Sequence, residues 1–248
     1  MAPLEALFAR PIAHRGLHDR ARGVIENTPS AVRAAVEAGY GIEVDVQRTA
    51  EGEAVVFHDD TLDRLTEATG AVAAYGLAEL RKVPFRETSD RFWTLEELLE
   101  EIAGRVPLFV EIKSQFDDGT PLASRVGARL AAYRGPAAAE SFDPRMVATL
   151  RAEQPGLPRG IIGCAFEDDE DWTELGGSQR FAMRHLLHWP STRPDFLSWD
   201  VHDLPRASAT LARKLAGTPI STWTVRTPAD QARAGLYADQ MVFEGFRP

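Results

Sequence analysis

Between Ile42 and Asp59 the chain reads IEVDVQRTAEGEAVVFHD, which puts two carboxylates two residues apart, an apolar run and then a His-Asp pair in one short stretch. On a strand, Glu43 and Asp45 point to the same face, because side chains alternate with a period of two. Two acids side by side repel each other and are costly to take out of water unless a cation sits between them. The spacing therefore suggests a metal site with His58 close by. Other reactive groups end short apolar runs elsewhere: His14 and Arg15 in PIAHR, and Glu111 with Lys113 in LFVEIK. Glu43, Asp45 and Glu111 bring three negative charges and Arg15 with Lys113 two positive ones, about −1 in all with neutral histidines. One divalent cation turns this to about +1, which suits a phosphodiester of charge about −1. All-oxygen ligands select a hard ion, magnesium or calcium, with manganese as a substitute.

The two histidines have ordinary pKa values near about 6.5, so one can take a proton from an attacking oxygen while the other gives one to the leaving oxygen. The metal, Arg15 and Lys113 would stabilise charge on the phosphate oxygens. Phosphodiester cleavage is the reaction this set suits best.

The elements that must position these groups alternate. The run 11–15 predicts a strand, and a helix follows it with Asn27 or Thr28 as N-cap, Pro29 just inside and Gly39 as its stop. Strands are expected at 42–46 and 54–57. Residues 60–93 read as a short insertion carrying one helix at 77–82. Thr94 and Glu97 form a capping box before a helix that buries Leu95, Leu98, Leu99 and Ile102. Strand 108–113 comes next. Helices at 121–133, 144–153, 178–184, 206–215 and 228–236 then alternate with strands at 137–142, 160–164, 196–201, 220–225 and 241–243. Such alternation implies a parallel sheet, and this many units in 248 residues favours an α/β fold of the TIM type, a (β/α)8 barrel in a single domain spanning 1–248. Nine candidate strands compete for eight places, and the link from Val46 to Ala54 is too short for a crossover helix. Either 42–59 supplies two barrel strands or it folds as a hairpin in which residues summing to about 102 pair. Both arrangements bring His58 toward Glu43.

Composition bounds the partners. With 44% hydrophobic and 26% charged residues the chain reads as soluble and globular, and no apolar run approaches the roughly 20 residues that span a bilayer. A net charge of −9 disfavours nucleic acid. The N-terminus lacks a basic start and a long apolar segment, and Cys164 is the only cysteine. A cytoplasmic protein without disulfides or stable membrane insertion is expected, as a monomer or homodimer.

The segments AHRG (13–16), ENT (26–28), EVDV (43–46), VVFHDDTLDR (55–64), WTLEELL (93–99), EIK (111–113), SFDP (141–144) and TWTV (222–225) occur in order over most of the chain. Singly weak, together they resemble the glycerophosphodiester phosphodiesterase family. The resemblance implies a TIM-type barrel that uses a divalent metal to hydrolyse glycerophosphodiesters to glycerol 3-phosphate and an alcohol. It makes His14 and His58 the acid/base pair, Glu43, Asp45 and Glu111 the metal ligands, and Arg15 and Lys113 the phosphate contacts. Three departures stand out: Ile25 replaces the Pro before ENT, the insertion is short, and Phe243-Glu244 replaces the terminal Thr-Asp. None is expected to touch the metal or acid/base set. Two alternatives remain: a related barrel phosphodiesterase that acts on lysophospholipids or phosphoinositides and leaves cyclic phosphates, and a non-catalytic barrel that binds phosphorylated polyols.

Other residues carry blander expectations. Trp223 is either barrel packing or an apolar wall for glycerol carbons. His18 lies in a polar loop near the site, His185 and His188 suit surface or packing roles, and His202-Asp203 mimics the earlier pair without carboxylates on its strand. Cys164 reads as a buried thiol. Asp168 to Asp171 form a solvated run that, if it overhangs the site, would hold a cationic head group together with Trp172.

Overall fold

A computed structural model describes residues 4–117, 119–168 and 172–248. Its sheet contains β1 (Ile12–Ala13), β2 (Gly41–Arg48), β3 (Ala54–Val56), β4 (Leu108–Ile112), β5 (Ala137–Ser141), β6 (Arg159–Gly163), β7 (Phe196–Asp200), β8 (Ile220–Val225) and β9 (Gln240–Phe243). Eight of these close a parallel barrel in the order β1-β2-β4-β5-β6-β7-β8-β9, with β9 returning to β1. The ninth, β3, pairs antiparallel with the part of β2 that runs beyond the barrel rim, Val46 opposite Val56. Residues 42–59 are thus a hairpin, and the open choice between one and two barrel strands is resolved by the length of β2.

Alternation along β2 sorts its side chains. Ile42, Val44 and Val46 face outward and join Val32, Ala35, Leu95 and Leu98 from the surrounding helices in the largest core cluster. Glu43, Asp45 and Gln47 therefore face the barrel interior. Strand β4 behaves alike, with Leu108, Val110 and Ile112 in the outer core. The helices start where the sequence predicts. Thr28 caps Pro29–Ala38, which Gly39 ends at φ 75°. The Thr94 hydroxyl accepts from the Glu97 N–H, and the Glu97 carboxylate accepts from the Thr94 N–H at 2.8 Å, so Leu95–Ile102 begins with the expected capping box. Such a cap contributes about 1 kcal/mol.

Residues 60–93 form a satellite on β3. Val55 and Phe57 pack with Leu62, Leu65, Val72, Leu80, Phe85 and Phe92. Ile25 belongs to this cluster, so the residue at the family's Pro position anchors the excursion. Its helix covers Leu77–Leu80, two residues shorter than expected.

The bottom of the barrel is sealed from inside. Phe109 and Phe196 stack edge-on at 5.5 Å, and Phe8, just after the short helix Leu4–Leu7, packs against both. Gly160 lies beneath Phe196, where an added Cβ would come within 2.3 Å of the ring. Because Phe8 and Phe109 block the ring from swinging away, Gly160→Ala is expected to lower stability by about 1–3 kcal/mol, measured as a fall in the urea midpoint at unchanged slope.

Candidate active site

At the carboxyl end of the barrel a cavity of about 680 Å³ opens among His14, Arg15, Glu43, His58, Glu111 and Lys113. Every residue singled out for chemistry from the sequence is therefore in or beside one space, apart from Asp45, which lies buried behind Arg15 and Lys113. The turn after β1 achieves part of this. Arg15 and Gly16 both take left-handed backbone, φ 55° and 79°. A Cβ on Gly16 would lie 2.9 Å from Ala31, so the turn can close only over a glycine. The fold aims the Arg15 N–H at Glu43 Oε2 (3.0 Å) and the Gly16 N–H at the Glu43 carbonyl (3.2 Å).

The acidic triad spans two adjacent strands. Asp45 is paired in register with Glu111, and the ligand atoms of Glu43, Asp45 and Glu111 lie within 4.8 Å of one another. Lys113 donates to Glu111 Oε1 at 2.7 Å, and its Nζ lies 2.8 Å from Asp45 Oδ1. Burial alone would discharge this lysine, but Asp45 and Glu111 outweigh it and hold the ammonium protonated. Burial likewise raises Asp45, yet Lys113, His58 and Arg15 prevail and keep it well below the carboxylate range. Glu43 goes the other way: burial, then repulsion from Asp45 and Glu111, drives it well above its ordinary value. Its Oε1 is buried without a hydrogen-bond partner among the described residues. An all-oxygen set with an unpartnered buried oxygen fits a hard divalent ion.

Asn27 positions Asp45 from behind. Its amide donates to Asp45 Oδ2 at 2.7 Å and its side-chain oxygen accepts from the Asp45 N–H at 3.1 Å, while its own carbonyl accepts from Trp93 Nε1. Glu26, the preceding residue, accepts from Arg15 (2.6 Å) and from Arg64 (2.7 and 2.9 Å). The ENT segment is thus a brace for both the acidic triad and the Arg15 guanidinium.

Each histidine is held by a carboxylate. His14 Nδ1 lies 2.7 Å from Glu244 Oε2, and His58 Nδ1 lies 2.7 Å from Asp59 Oδ1. Glu244 is held at about 2, first by the hydrogen bond from His14, and burial draws His14 down to about 4 against that bond. Near neutrality Glu244 can only accept, so His14 Nδ1 donates and Nε2 carries the lone pair. Asp59, raised by burial but held far lower by His58 and Arg64, imposes the same tautomer on His58.

The contact between His14 and Glu244 corrects the expectation that the 243–244 departure leaves the acid/base set untouched. Parallel pairing of Ala13 with Phe243 sets residue 244 alongside residue 14. The signal for Glu244 is its place directly after the last apolar strand, as His14 and His58 directly follow apolar runs. Another group outside the expected set is Glu140, a buried carboxyl that burial and nearby Glu111 push up to about 8.

Trp223 lines the cavity, and its indole N–H donates to the Ser198 carbonyl at 3.1 Å. Trp172 lines it too, 5.0 Å from Phe142, whereas residues 169–171 of the acidic run lie outside the described residues. His185, His188 and His202 do not line this cavity. His202 is exposed, 3.8 Å from Asp230, and His188 is half-buried against Thr192. His18 faces a separate hollow near Glu244. Cys164 is buried.

The sequence matches the glycerophosphoryl diester phosphodiesterase family over residues 14–241. The chain belongs to that family. A glycerophosphodiester phosphodiesterase of Caldanaerobacter subterraneus subsp. tengcongensis is 42% identical over 111 residues, 42% of this chain and 44% of that relative. The chain thus aligns with less than half of that relative's length. Glycerophosphodiester phosphodiesterase 1 of Bos taurus is 27% identical over 87% of this chain and 71% of its own. In fold, the chain is similar to a phosphodiesterase of Oleispira antarctica solved in complex with the product sn-glycerol-3-phosphate, with a TM-score of 0.77, 22% identity, and coverage of 96% of this chain and 94% of that one.

Glu26 yields a test of the brace. Burial raises it, but Arg64 and Arg15 outweigh burial and hold it at about 2. A carboxyl depressed on folding stabilises above its unfolded value and loses that contribution as pH falls through its folded value. Glu26→Gln is therefore expected to destabilise at pH about 7, with its deficit shrinking between about 4.5 and 2, measured by urea denaturation across that range.

Proposed function

We propose that the protein hydrolyses glycerophosphodiesters to glycerol 3-phosphate and an alcohol, as a single domain over residues 1–248 with 60–93 as an insertion. What carries this reading is one cavity that combines Glu43 and Glu111 of a carboxylate triad, with Asp45 buried behind them and Glu43 Oε1 without a hydrogen-bond partner among the described residues, with two carboxylate-held imidazoles. Family membership and the names of the relatives point to the same substrate class.

Glu43, Asp45 and Glu111 would hold one divalent cation, magnesium or calcium with manganese as a substitute. When bound, that ion supplies Lewis-acid stabilisation of charge on the phosphate oxygens. Arg15 and Lys113 bind the phosphate and meet the charge that develops there. One imidazole removes a proton from the attacking oxygen at Nε2, and the other delivers one to the departing alkoxide. Glu244 and Asp59 fix the rings in the required tautomer and favour the imidazolium that forms. Trp223 covers the glycerol carbons.

The surroundings agree with a small-molecule substrate. Among the described residues no helix is long and apolar enough to cross a membrane, and a net charge of −9 disfavours nucleic acid as a partner. We place the protein in the cytoplasm as a monomer or homodimer.

Release of glycerol 3-phosphate from glycerophosphocholine is expected to require magnesium or calcium and to stop with excess chelator. His14→Ala and His58→Ala are each expected to lower kcat by roughly 100- to 10,000-fold while the circular dichroism spectrum is unchanged. Full activity in chelator, or in either variant, contradicts the proposal, and cyclic phosphate as the final product favours the alternative phosphodiesterase.

A further inference from the structure

One carboxyl in the cavity belongs neither to the triad nor to the histidine pairs. Glu140 is on β5, directly paired with Glu111 of β4. It is only 3% exposed, yet it lines the same cavity as His14, Glu43 and Trp223. Ser198 on β7 hydrogen-bonds its side chain, while its Oε2 is buried with no hydrogen-bond partner among the described residues. Buried polar atoms in folded proteins are almost always paired, and an unpaired one inside a binding cavity marks the place for a ligand atom.

Position decides which ligand atom. Adjacent strands are about 4.8 Å apart, so a phosphate gathered at Glu111 sets its first ester carbons beside Glu140. Trp223, joined to the same Ser198 through its indole N–H, gives those carbons an apolar face. A hydroxyl on the carbons meets the carboxyl oxygen, whereas a hydrogen in its place leaves the oxygen unpaired. Sites of this kind reject analogues that lack the hydroxyl far more strongly than apolar pockets reject a missing methylene. We propose that Glu140, steadied by Ser198, is the specificity-determining residue for the polyol, with its Oε2 bonded to a glycerol hydroxyl of the substrate. The proposal rests on the phosphodiesterase reading of this cavity and assigns a role that the hydrolytic step itself does not need.

Two small phosphates separate the possibilities by isothermal titration calorimetry in magnesium: sn-glycerol 3-phosphate, and n-propyl phosphate, which has the same carbon chain without hydroxyls. The wild-type protein is expected to bind the first roughly 10- to 100-fold more tightly. Glu140→Leu removes that preference by weakening glycerol 3-phosphate alone, with n-propyl phosphate within about threefold of wild type. Glu140→Gln, which keeps a hydrogen-bonding group of the same shape, retains most of the preference and shows that the fold tolerates the site. The proposal is overturned if the wild-type protein binds the two alike or binds neither, if Glu140→Leu weakens both equally, or if it changes neither. Failure of the proposed hydrolysis is distinct: it is absence of turnover in a protein that still prefers glycerol 3-phosphate.

Discussion

Three carboxylates inside a closed barrel are the constraint around which the structure is arranged. At separations up to 4.8 Å, each ionised pair repels by about 3–4 kcal/mol at an effective dielectric of about 20. The chain answers with positive charge at fixed points. Lys113 bridges Asp45 and Glu111, and Arg15 lies 3.5 Å from Asp45. Glu43 is left with an oxygen that has no hydrogen-bond partner among the described residues and with a strongly raised proton affinity. The triad is therefore nearly but incompletely neutralised, and the deficit falls on the side chain that contacts the first turn of the barrel through the Arg15 N–H.

Second-layer residues convert that charge arrangement into a site. Asn27 clamps Asp45, Glu26 clamps Arg15, and Arg64 ties Glu26 to Asp59, which in turn holds His58. A continuous chain of hydrogen bonds thus joins the acidic triad to one imidazole. The other imidazole is tied across the barrel closure, because β9 lies beside β1 and carries Glu244 to His14. Orientation of His14 depends on the barrel being closed, and that of His58 on the excursion at 60–93 that supplies Arg64.

Much of this was legible in the residues alone. Outward apolar and inward polar alternation in β2 and β4, capping at Thr94, and Gly39 as a helix stop are local signals that tertiary packing reinforces. The expected strand and helix bounds accordingly match within a few residues. The hairpin was ambiguous because an eight-residue strand that overruns the barrel looks, in sequence, like two strands in series. Glu244 and Glu140 escaped because their partners are distant in sequence: His14 is 230 positions from Glu244, and Glu140 acquires its burial only from neighbours on other strands. The roles of Glu26 and Asn27 were hidden for the same reason, since a polar loop next to a helix cap reads as a turn until its far contacts are known.

Metal titration followed by thermal unfolding tests the central claim, that the acidic triad is a cation site, most directly. Magnesium or calcium at about 100 times its dissociation constant is expected to stabilise the wild-type protein by about 2.7 kcal/mol. The same ion is expected to leave a Glu43→Gln, Asp45→Asn, Glu111→Gln variant unmoved, while that variant folds without metal. An equal metal response in the two proteins, or none in the wild type, contradicts the account.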